Sequence, residues 1–235
     1  MKKLNIFTAG ALALCLLASA GCNSMTNLGK GALIGGGGGA AAGAGIGALI
    51  GGGKGAGIGA AIGAAVGAGA GSLIGRKMDK QKKELEQQLA DKAAVESVTD
   101  QNGLQAIKVT FNGGILFPTN GTTLSTSARN DLTSFASSLL NNPETNVQIF
   151  GYTDNTGGYQ VNEKVSTGRA DAVRTFLIHS GVSASRITAE GIPMADYVAS
   201  NDTPEGRAQN RRVEIYISAN QKMIKQAEAG TLSMR

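Results

Sequence analysis

The sequence predicts an α+β protein: a sandwich of helices on a mixed sheet, in the order β-α-β-α-β-β, preceded by a glycine-zipper helical hairpin. Three observations support this. Residues 103–220 alternate between strand-like and helix-like apolar spacing. Residues 31–75 carry a glycine at every fourth position. The first 78 residues contain no acid and a single aromatic residue, Phe7, so the chain joins two parts of different composition.

The first 21 residues are typical of a secretory signal peptide, with a short basic start followed by an apolar run. The small residues Ser19-Ala20-Gly21 before Cys22 resemble a lipobox, although Leu or Val is more usual than serine at position 19. Either Cys22 is acylated and becomes the new N-terminus, or it is a chance cysteine beside a cleavage site. We favour acylation and expect residues 22–30 to be a lipidated N-terminus. Because Cys15 would leave with the signal peptide, the mature chain would then have no free thiol for disulfides or metals.

The glycine-spaced segment, residues 31–75, predicts a membrane hairpin. Lys54 divides it into Gly31–Gly53 and Gly55–Gly75, each about long enough to cross a hydrocarbon core. Glycines four apart share one helix face, where two backbones can approach closely. A turn near Lys54 would bring the two glycine faces together. The alternative is a flexible glycine-rich linker, but such linkers favour Ser and lack the Ile and Leu found here.

Two consequences follow from the hairpin. Two spans return the chain to the side where it started, so the C-terminal domain should share a compartment with the lipid. The segment also resembles the glycine zippers of bacterial outer-membrane lipoproteins, and this resemblance implies outer-membrane lipid as a partner and a homo-oligomer formed through the zipper.

Residues 76–102 predict a charged helical linker. Lys, Glu, Gln and Ala dominate up to Val98, and Met78, Leu85, Leu89 and Val95 approximate a helical stripe. A short coiled-coil contact with a second copy is the alternative, for which one stripe of this length is weak support.

The C-terminal domain is predicted over residues 103–220, followed by a tail at 221–235. Its apolar pattern predicts strands at 104–111, 146–152, 186–190 and 212–217 and helices at 124–140 and 159–180.

Several short motifs in this domain resemble the OmpA-like C-terminal domain that binds peptidoglycan. They are Gly151-Tyr152-Thr153-Asp154-Asn155-Thr156-Gly157, Asn162, Ser166, Arg169-Ala170, Gly206-Arg207 and Asn210-Arg211-Arg212-Val213-Glu214-Ile215. The resemblance implies a site for the diaminopimelate of the peptidoglycan stem peptide. Asp154 would pair with its ammonium and Arg169 with its carboxylate, while Asn162 would add a hydrogen bond and Thr153 would form a wall.

The residues support this assignment by their chemistry, since an amino-acid centre is a zwitterion and needs one anion and one cation. Asp154 follows a strand and Arg169 lies on the next helix, at one rim of the sheet. Taken alone, Asp154 could equally form an Asx turn and Arg169 could be an exposed helix charge. Arg211 or Arg212 could complete the site, or buttress the fold through a carboxylate such as Asp171. We predict Arg212 as the ligand contact.

The resemblance as a whole implies a lipid-anchored outer-membrane protein whose domain faces the periplasm and tethers the membrane to the cell wall. An oligomerising, membrane-active or assembly factor that uses the glycine zipper is the alternative. The net charge of +5 does not indicate nucleic-acid binding, because residues 99–235 hold twelve basic and twelve acidic residues. The single histidine, His179, has no nucleophile or metal-ligand set around it, so we expect no enzyme activity, metal or cofactor.

Overall fold

The computed structural model of the protein describes residues 66–100, 102–118 and 121–234. The predicted signal peptide, the lipidated N-terminus at Cys22 and the glycine-spaced segment up to residue 65 lie outside the described residues.

The predicted α+β class is confirmed, because helices pack on one five-stranded mixed sheet. The strands lie in the order β1-β2-β5-β3-β4, and only the β3–β4 pair is parallel. The elements in chain order are α1 (Ala68–Gln88), β1 (Ala93–Thr99), β2 (Gln105–Asn112), α2 (Gly113–Leu116), α3 (Thr126–Asn141), β3 (Thr145–Tyr152), α4 (Tyr159–His179), β4 (Ile187–Ile192), α5 (Pro204–Asn210), β5 (Arg212–Ala219) and α6 (Gln221–Glu228).

The main core lies between the sheet and its helices. Alternate side chains of a strand point to opposite faces, and in β5 the apolar set Val213, Ile215 and Ile217 joins this core. Ile215 lies opposite Val109 of β2 and Ile149 of β3. The opposite face of the sheet has a smaller cluster formed by Phe150, Tyr152, Ile192 and Tyr216.

The predicted boundary between the glycine-spaced segment and the linker is not a structural boundary, because helix α1 runs across it. The helix begins at Ala68, inside the glycine-spaced segment, and ends at Gln88. Its buried apolar side chains recur at helical spacing along one face, and they are Ala70, Ile74, Met78, Leu85 and Leu89, the last being the C-cap residue. The end of the predicted membrane hairpin is therefore part of the domain core.

The predicted linker helix is wrong beyond Gln88. Asp91 adopts a left-handed conformation, with φ of 63°, and residues Ala93–Thr99 then form strand β1, which pairs antiparallel with β2. Val95 thus belongs to a strand and not to the helical stripe. Val95, Val98 and Thr99 are β-branched and fit a half-buried pleated surface, so pairing with β2 outweighs the helix formers around them.

The predicted tail also belongs to the fold. Helix α6 is capped by Asn220, whose side chain accepts a hydrogen bond from the backbone N–H of Met223. Met223, Ile224 and Ala227 are buried, and the Nζ of Lys77 donates to the carbonyl of Ser233 at 2.9 Å. Helices α1 and α6 therefore pack as one unit. In the part of the chain that the structure describes, no helix is both long and apolar enough to span a membrane.

Candidate functional site

A groove of about 540 Å³ opens at the carboxyl end of β3. It lies between the loop after β3, helix α4 and the junction of α5 with β5. Four of the five predicted ligand residues line it. The lining residues are Thr153, Asp154, Thr156, Gly157, Val161, Asn162, Val165, Arg169, Arg207 and Arg211.

Close packing of α4 on the sheet brings the two charged predicted residues to the same groove. A Cβ at Gly151 of β3 would lie 2.3 Å from the carbonyl oxygen of Ser166. A Cβ at Gly191 of β4 would lie 2.4 Å from the backbone nitrogen of Thr167. Only glycine permits this approach at either position. This close packing of α4 on the sheet places Arg169, which lies within one helical turn of Ser166 and Thr167, beside the end of β3.

Asp154 is a fixed, buried anion. One carboxylate oxygen, Oδ1, accepts the backbone N–H of Thr156 at 2.8 Å, which is the Asx turn that the sequence allowed. The other, Oδ2, accepts Nη1 of Arg211 at 2.5 Å. Burial alone would raise the pKa of Asp154, but the hydrogen bonds from Thr156 and Arg211 outweigh it and lower that pKa. The side chain is therefore an anion at neutral pH.

Arg169 is a buried cation with no anionic partner in the part of the chain that the structure describes. It is only 4% exposed, so the alternative of an exposed helix charge is wrong. Its Nε donates to the carbonyl of Gly121 at 3.1 Å, and its guanidinium lies 5.4 Å from the ring centre of Phe117. Burial and the charge of Arg211 lower the pKa of Arg169, while Asp154 acts in the opposite direction. Among the described residues, no carboxylate lies within ion-pair distance of this guanidinium.

Asn162 and Thr153 shape the loops that border the groove. The Nδ2 of Asn162 donates to the carbonyls of Thr156 and Gly158 at 2.9 and 3.2 Å. The hydroxyl of Thr153 accepts the backbone N–H of Met194 at 3.0 Å, which ties the wall of the groove to the segment after β4. Both side chains line the groove and already have partners within the protein.

The structure does not place Arg212 in the groove, so this prediction is corrected. Arg212 points to the face of the sheet opposite the main core, where its guanidinium lies 3.8 Å from the ring centre of Tyr152. Its Nε pairs with Glu214 at 2.7 Å and its Nη2 donates to the carbonyl of Asp196 at 3.0 Å. Arg212 therefore buttresses the fold, through Glu214 and not through Asp171. Arg211, the other residue of the sequence pair, lies in the groove.

Strand alternation could have distinguished the two arginines. Arg212, Glu214 and Tyr216 are two residues apart in β5, share one face and bond to one another. Arg211 comes before the strand and is free of that alternation. Arg207 was also missed as a lining residue; its Nη1 donates to the carbonyls of Asn201 and Asp202 at 2.7 and 3.2 Å.

The groove brings side chains of both charges together, since it presents one carboxylate and three guanidiniums. His179 is exposed at the end of α4. In residues 66–100, 102–118 and 121–234, no group of three or more His, Cys, Asp or Glu side chains could hold a metal ion.

Comparison with known proteins finds similarity to two families along the chain. Residues 116–211 match the OmpA family, and residues 1–79 match the YMGG-like Gly-zipper. Both matches agree with the resemblances found in the motifs and in the glycine spacing.

Two curated relatives and one solved structure show how far the similarity extends. "Probable lipoprotein YiaD" of Escherichia coli K12 is 41% identical over 133 residues, which cover 57% of this chain and 61% of that protein. "Peptidoglycan-binding protein ArfA" of Mycobacterium bovis is 40% identical over 113 residues, covering 48% and 35%. The chain thus spans less than two thirds of either relative. The cell wall anchor of the T6SS from Pseudomonas aeruginosa superposes with a TM-score of 0.51 at 32% identity, covering 58% of this chain and 97% of that one.

Proposed function

We propose that this protein, whose residues 116–211 match the OmpA family, binds peptidoglycan non-covalently and tethers the outer membrane to the cell wall. The ligand is the free amino-acid centre of diaminopimelate in the stem peptide. The protein acts as a binding module and not as an enzyme.

The observation that carries this proposal is the buried guanidinium of Arg169, which has no carboxylate partner among the described residues. A buried charge is costly unless it is paired, so such a group favours an anionic ligand. Its planar fork can bind a carboxylate through two parallel hydrogen bonds. The ligand's carboxylate would supply the missing partner.

Asp154 supplies the opposite charge in the same groove. Its lowered pKa keeps it ionised at neutral pH, and its Oδ2 is the oxygen that faces a cation in the free protein. An ammonium bonded to the same carbon as the carboxylate would meet Asp154 while the carboxylate meets Arg169. One anion and one cation in one groove thus match a zwitterionic centre, whereas an acylated or amidated centre would lose one of the two contacts.

The membrane end of the tether is the acylated Cys22 together with the glycine-spaced segment. Several acyl chains hold a protein on a membrane where one chain gives only marginal binding. Helix α1 packs into the domain and, together with its N-cap residue Gly67, takes up three of the twelve regularly spaced glycines, the other two being Gly71 and Gly75. Membrane insertion and homo-oligomerisation through the zipper are therefore assigned to the other nine, from Gly31 to Gly63.

The test is co-sedimentation of the full-length chain, kept in mild detergent, with purified sacculi that contain diaminopimelate. The wild-type chain should sediment with the sacculi, and free meso-diaminopimelate should release it. Asp154→Ala and Arg169→Ala should each abolish sedimentation while retaining the wild-type melting temperature within a few degrees. Asp171→Ala removes an exposed charge from the same helix as Arg169 and should bind as wild type does.

Either of two results would overturn the proposal. One is that the wild-type chain stays in the supernatant. The other is that the Asp154 and Arg169 variants sediment as well as the Asp171 control.

A further inference from the structure

Three basic side chains form a line along the outward face of α1. Arg76, Lys80 and Lys83 are spaced four and three residues apart, which keeps them within about 60° of one another around the helix. All three are exposed, whereas Met78 and Leu85 on the opposite side of the helix are completely buried. This basic stripe therefore points directly away from the core of the domain.

The charge of the basic stripe is not compensated by the described part of the protein. None of the ion pairs among the described residues includes one of its members. Two of the three acids in α1 are engaged elsewhere, since Asp79 accepts a hydrogen bond from the sheet and Glu86 pairs with Lys82. The third, Glu84, lies on a flank of the helix and off the stripe. Lys80 donates to a backbone carbonyl of the C-terminal tail at 3.2 Å, so the stripe keeps three positive charges for an anionic partner.

The basic stripe lies close to the proposed membrane anchor. Helix α1 begins at Ala68, shortly after Gly63, the last glycine assigned to the membrane. Arg76 lies about 12 Å along the helix from Ala68, and Lys83 about 23 Å. Headgroup charges are screened beyond about 8 Å at physiological salt. All three side chains therefore reach one membrane surface only when α1 lies along it.

An orientation with α1 along the membrane leaves the groove uncovered. Strands β2 and β3 run in the same direction, because both pair antiparallel with β5. Asp79 bonds to Gln105, the first residue of β2, so this part of α1 lies at the end of the sheet opposite to the groove. None of the residues that line the groove belongs to α1. A domain docked through the stripe thus keeps its groove free.

We propose that the basic stripe docks the domain on the anionic phospholipid headgroups of the membrane that holds the anchor, with α1 lying along that surface. The inference rests on the anchor in the proposed function, and it adds a second, electrostatic contact with the membrane. One Lys or Arg beside an anionic lipid surface is worth about a fivefold change in binding. Three of them should raise the ratio of docked to undocked domains by about a hundredfold over that on a neutral membrane.

Energy transfer between a tryptophan beside the stripe and labelled headgroups measures the docking. The chain has no tryptophan, so Gln87→Trp supplies a single donor at an exposed position one turn beyond Lys83. The full-length chain is reconstituted into vesicles of phosphatidylcholine, alone or with an equal amount of phosphatidylglycerol. A trace of dansyl-phosphatidylethanolamine is the acceptor. Thr175→Trp, at an exposed position of α4 on the β3–β4 side of the sheet, is the reference donor.

Two triple variants with the same loss of charge test the stripe in the Gln87→Trp chain. The stripe variant carries Arg76→Gln, Lys80→Gln and Lys83→Gln. The control variant loses three basic side chains of α3 and α4 that lie outside the groove, through Arg129→Gln, Lys164→Gln and Arg174→Gln. Both should keep the wild-type melting temperature and should sediment with sacculi in detergent as wild type does.

The Gln87→Trp chain should transfer strongly in vesicles with phosphatidylglycerol and weakly in phosphatidylcholine alone. The stripe variant should transfer weakly in both, and the control variant should match its parent. Raising the salt from about 0.1 to about 1 M should remove the difference between the lipids, because the screening length falls from about 10 to about 3 Å. The Thr175→Trp reference should not respond to the charge of the lipid.

Several results would overturn the docking while leaving wall binding in place. One is equal transfer by the Gln87→Trp chain in both kinds of vesicle. Another is a stripe variant that keeps the lipid difference, or a control variant that loses it, because net charge and not the stripe would then act. Transfer that depends on protein density and not on lipid charge would assign the stripe to a contact with a second copy. A chain that does not associate with vesicles at all would refute the anchor and the docking together.

Discussion

Gln105 of β2 donates through Nε2 to the Oδ1 of Asp79 on α1 at 2.6 Å. This bond joins the sheet to a helix that begins within the glycine-spaced segment. On the same helix, Ile74 and Met78 are completely buried. The folded domain therefore starts at Ala68, well before residue 103, where the apolar pattern of the sequence predicts it to begin, and α1 packs against the domain.

We expect a fragment that starts at residue 99 to fail to fold, whereas a fragment of residues 66–235 folds. The shorter one lacks all of β1 except its last residue, and it lacks four fully buried side chains, Ile74, Met78, Leu85 and Leu89. Losing one such side chain costs about 2–5 kcal/mol, and a whole domain is stable by only about 5–15 kcal/mol. Circular dichroism melts of both fragments test this. A cooperative transition of the shorter fragment at the melting temperature of the longer one would contradict it.

Arg169→Lys should weaken binding to sacculi by about tenfold or more, although the charge is kept. Lysine cannot form two parallel hydrogen bonds to a carboxylate, nor donate to the carbonyl of Gly121 as Nε does now. Binding isotherms with sacculi measure the change, and Arg174→Lys on the same helix is the control. Equal binding by the Arg169 variant would mean that only the charge matters.

The stability of the domain should fall at acid pH because of Glu214. Burial alone would raise the pKa of this carboxyl, but Arg212, Lys108 and Tyr216 together lower it below the ordinary glutamate value of about 4.3. The unfolded chain binds the proton more tightly than the folded one. The stabilisation is therefore complete above pH of about 4.3 and is lost as the pH falls through the lowered pKa.

Glu214→Gln should lower the free energy of unfolding at neutral pH by about 3 kcal/mol, because it leaves Arg212 buried beside a neutral partner. It should also remove the part of the stability loss between neutral and acid pH that comes from protonation of Glu214. Urea denaturation at several pH values measures both effects. Glu163→Gln, at an exposed position of α4, should change neither; identical pH profiles for wild type and Glu214→Gln would refute the assignment.

Gly151→Ala should impair ligand binding without touching a ligand contact. The added Cβ would lie 2.3 Å from the carbonyl of Ser166, so α4 must move away from β3 and carry Arg169 with it. Such overpacking costs about 1–3 kcal/mol of stability. Gly69→Ala, where no atom lies within 4 Å, is the control. Thermal melts and sacculus binding of both variants test this. Unchanged binding by Gly151→Ala would show that the close approach of Gly151 to Ser166 does not set the spacing of Asp154 and Arg169.

The sequence predicted most elements of the domain because each depends on local spacing. The helix at α4 and the strand at β3 follow from 3.6- and 2-residue periods that neighbouring residues establish. The prediction failed at Val95, because the residues around it favour a helix. Local patterns do not reveal that β2 lies alongside this segment and pairs with it as a strand. Asp154 and Arg169 were found through motifs, since residues fifteen apart give no local sign of sharing a groove.

The α+β class, the period of the glycines and the chemical identity of the charges after β3 can all be predicted from the sequence. Three features emerge only from the folded chain: α1 and α6 belong to the domain, Arg169 is buried with no carboxylate partner among the described residues, and Arg211 meets Asp154 while Arg212 meets Glu214. They could not be predicted because periodicity specifies only which face of an element is apolar. Which surface covers that face, and which charges then meet, depends on contacts between residues far apart in the chain.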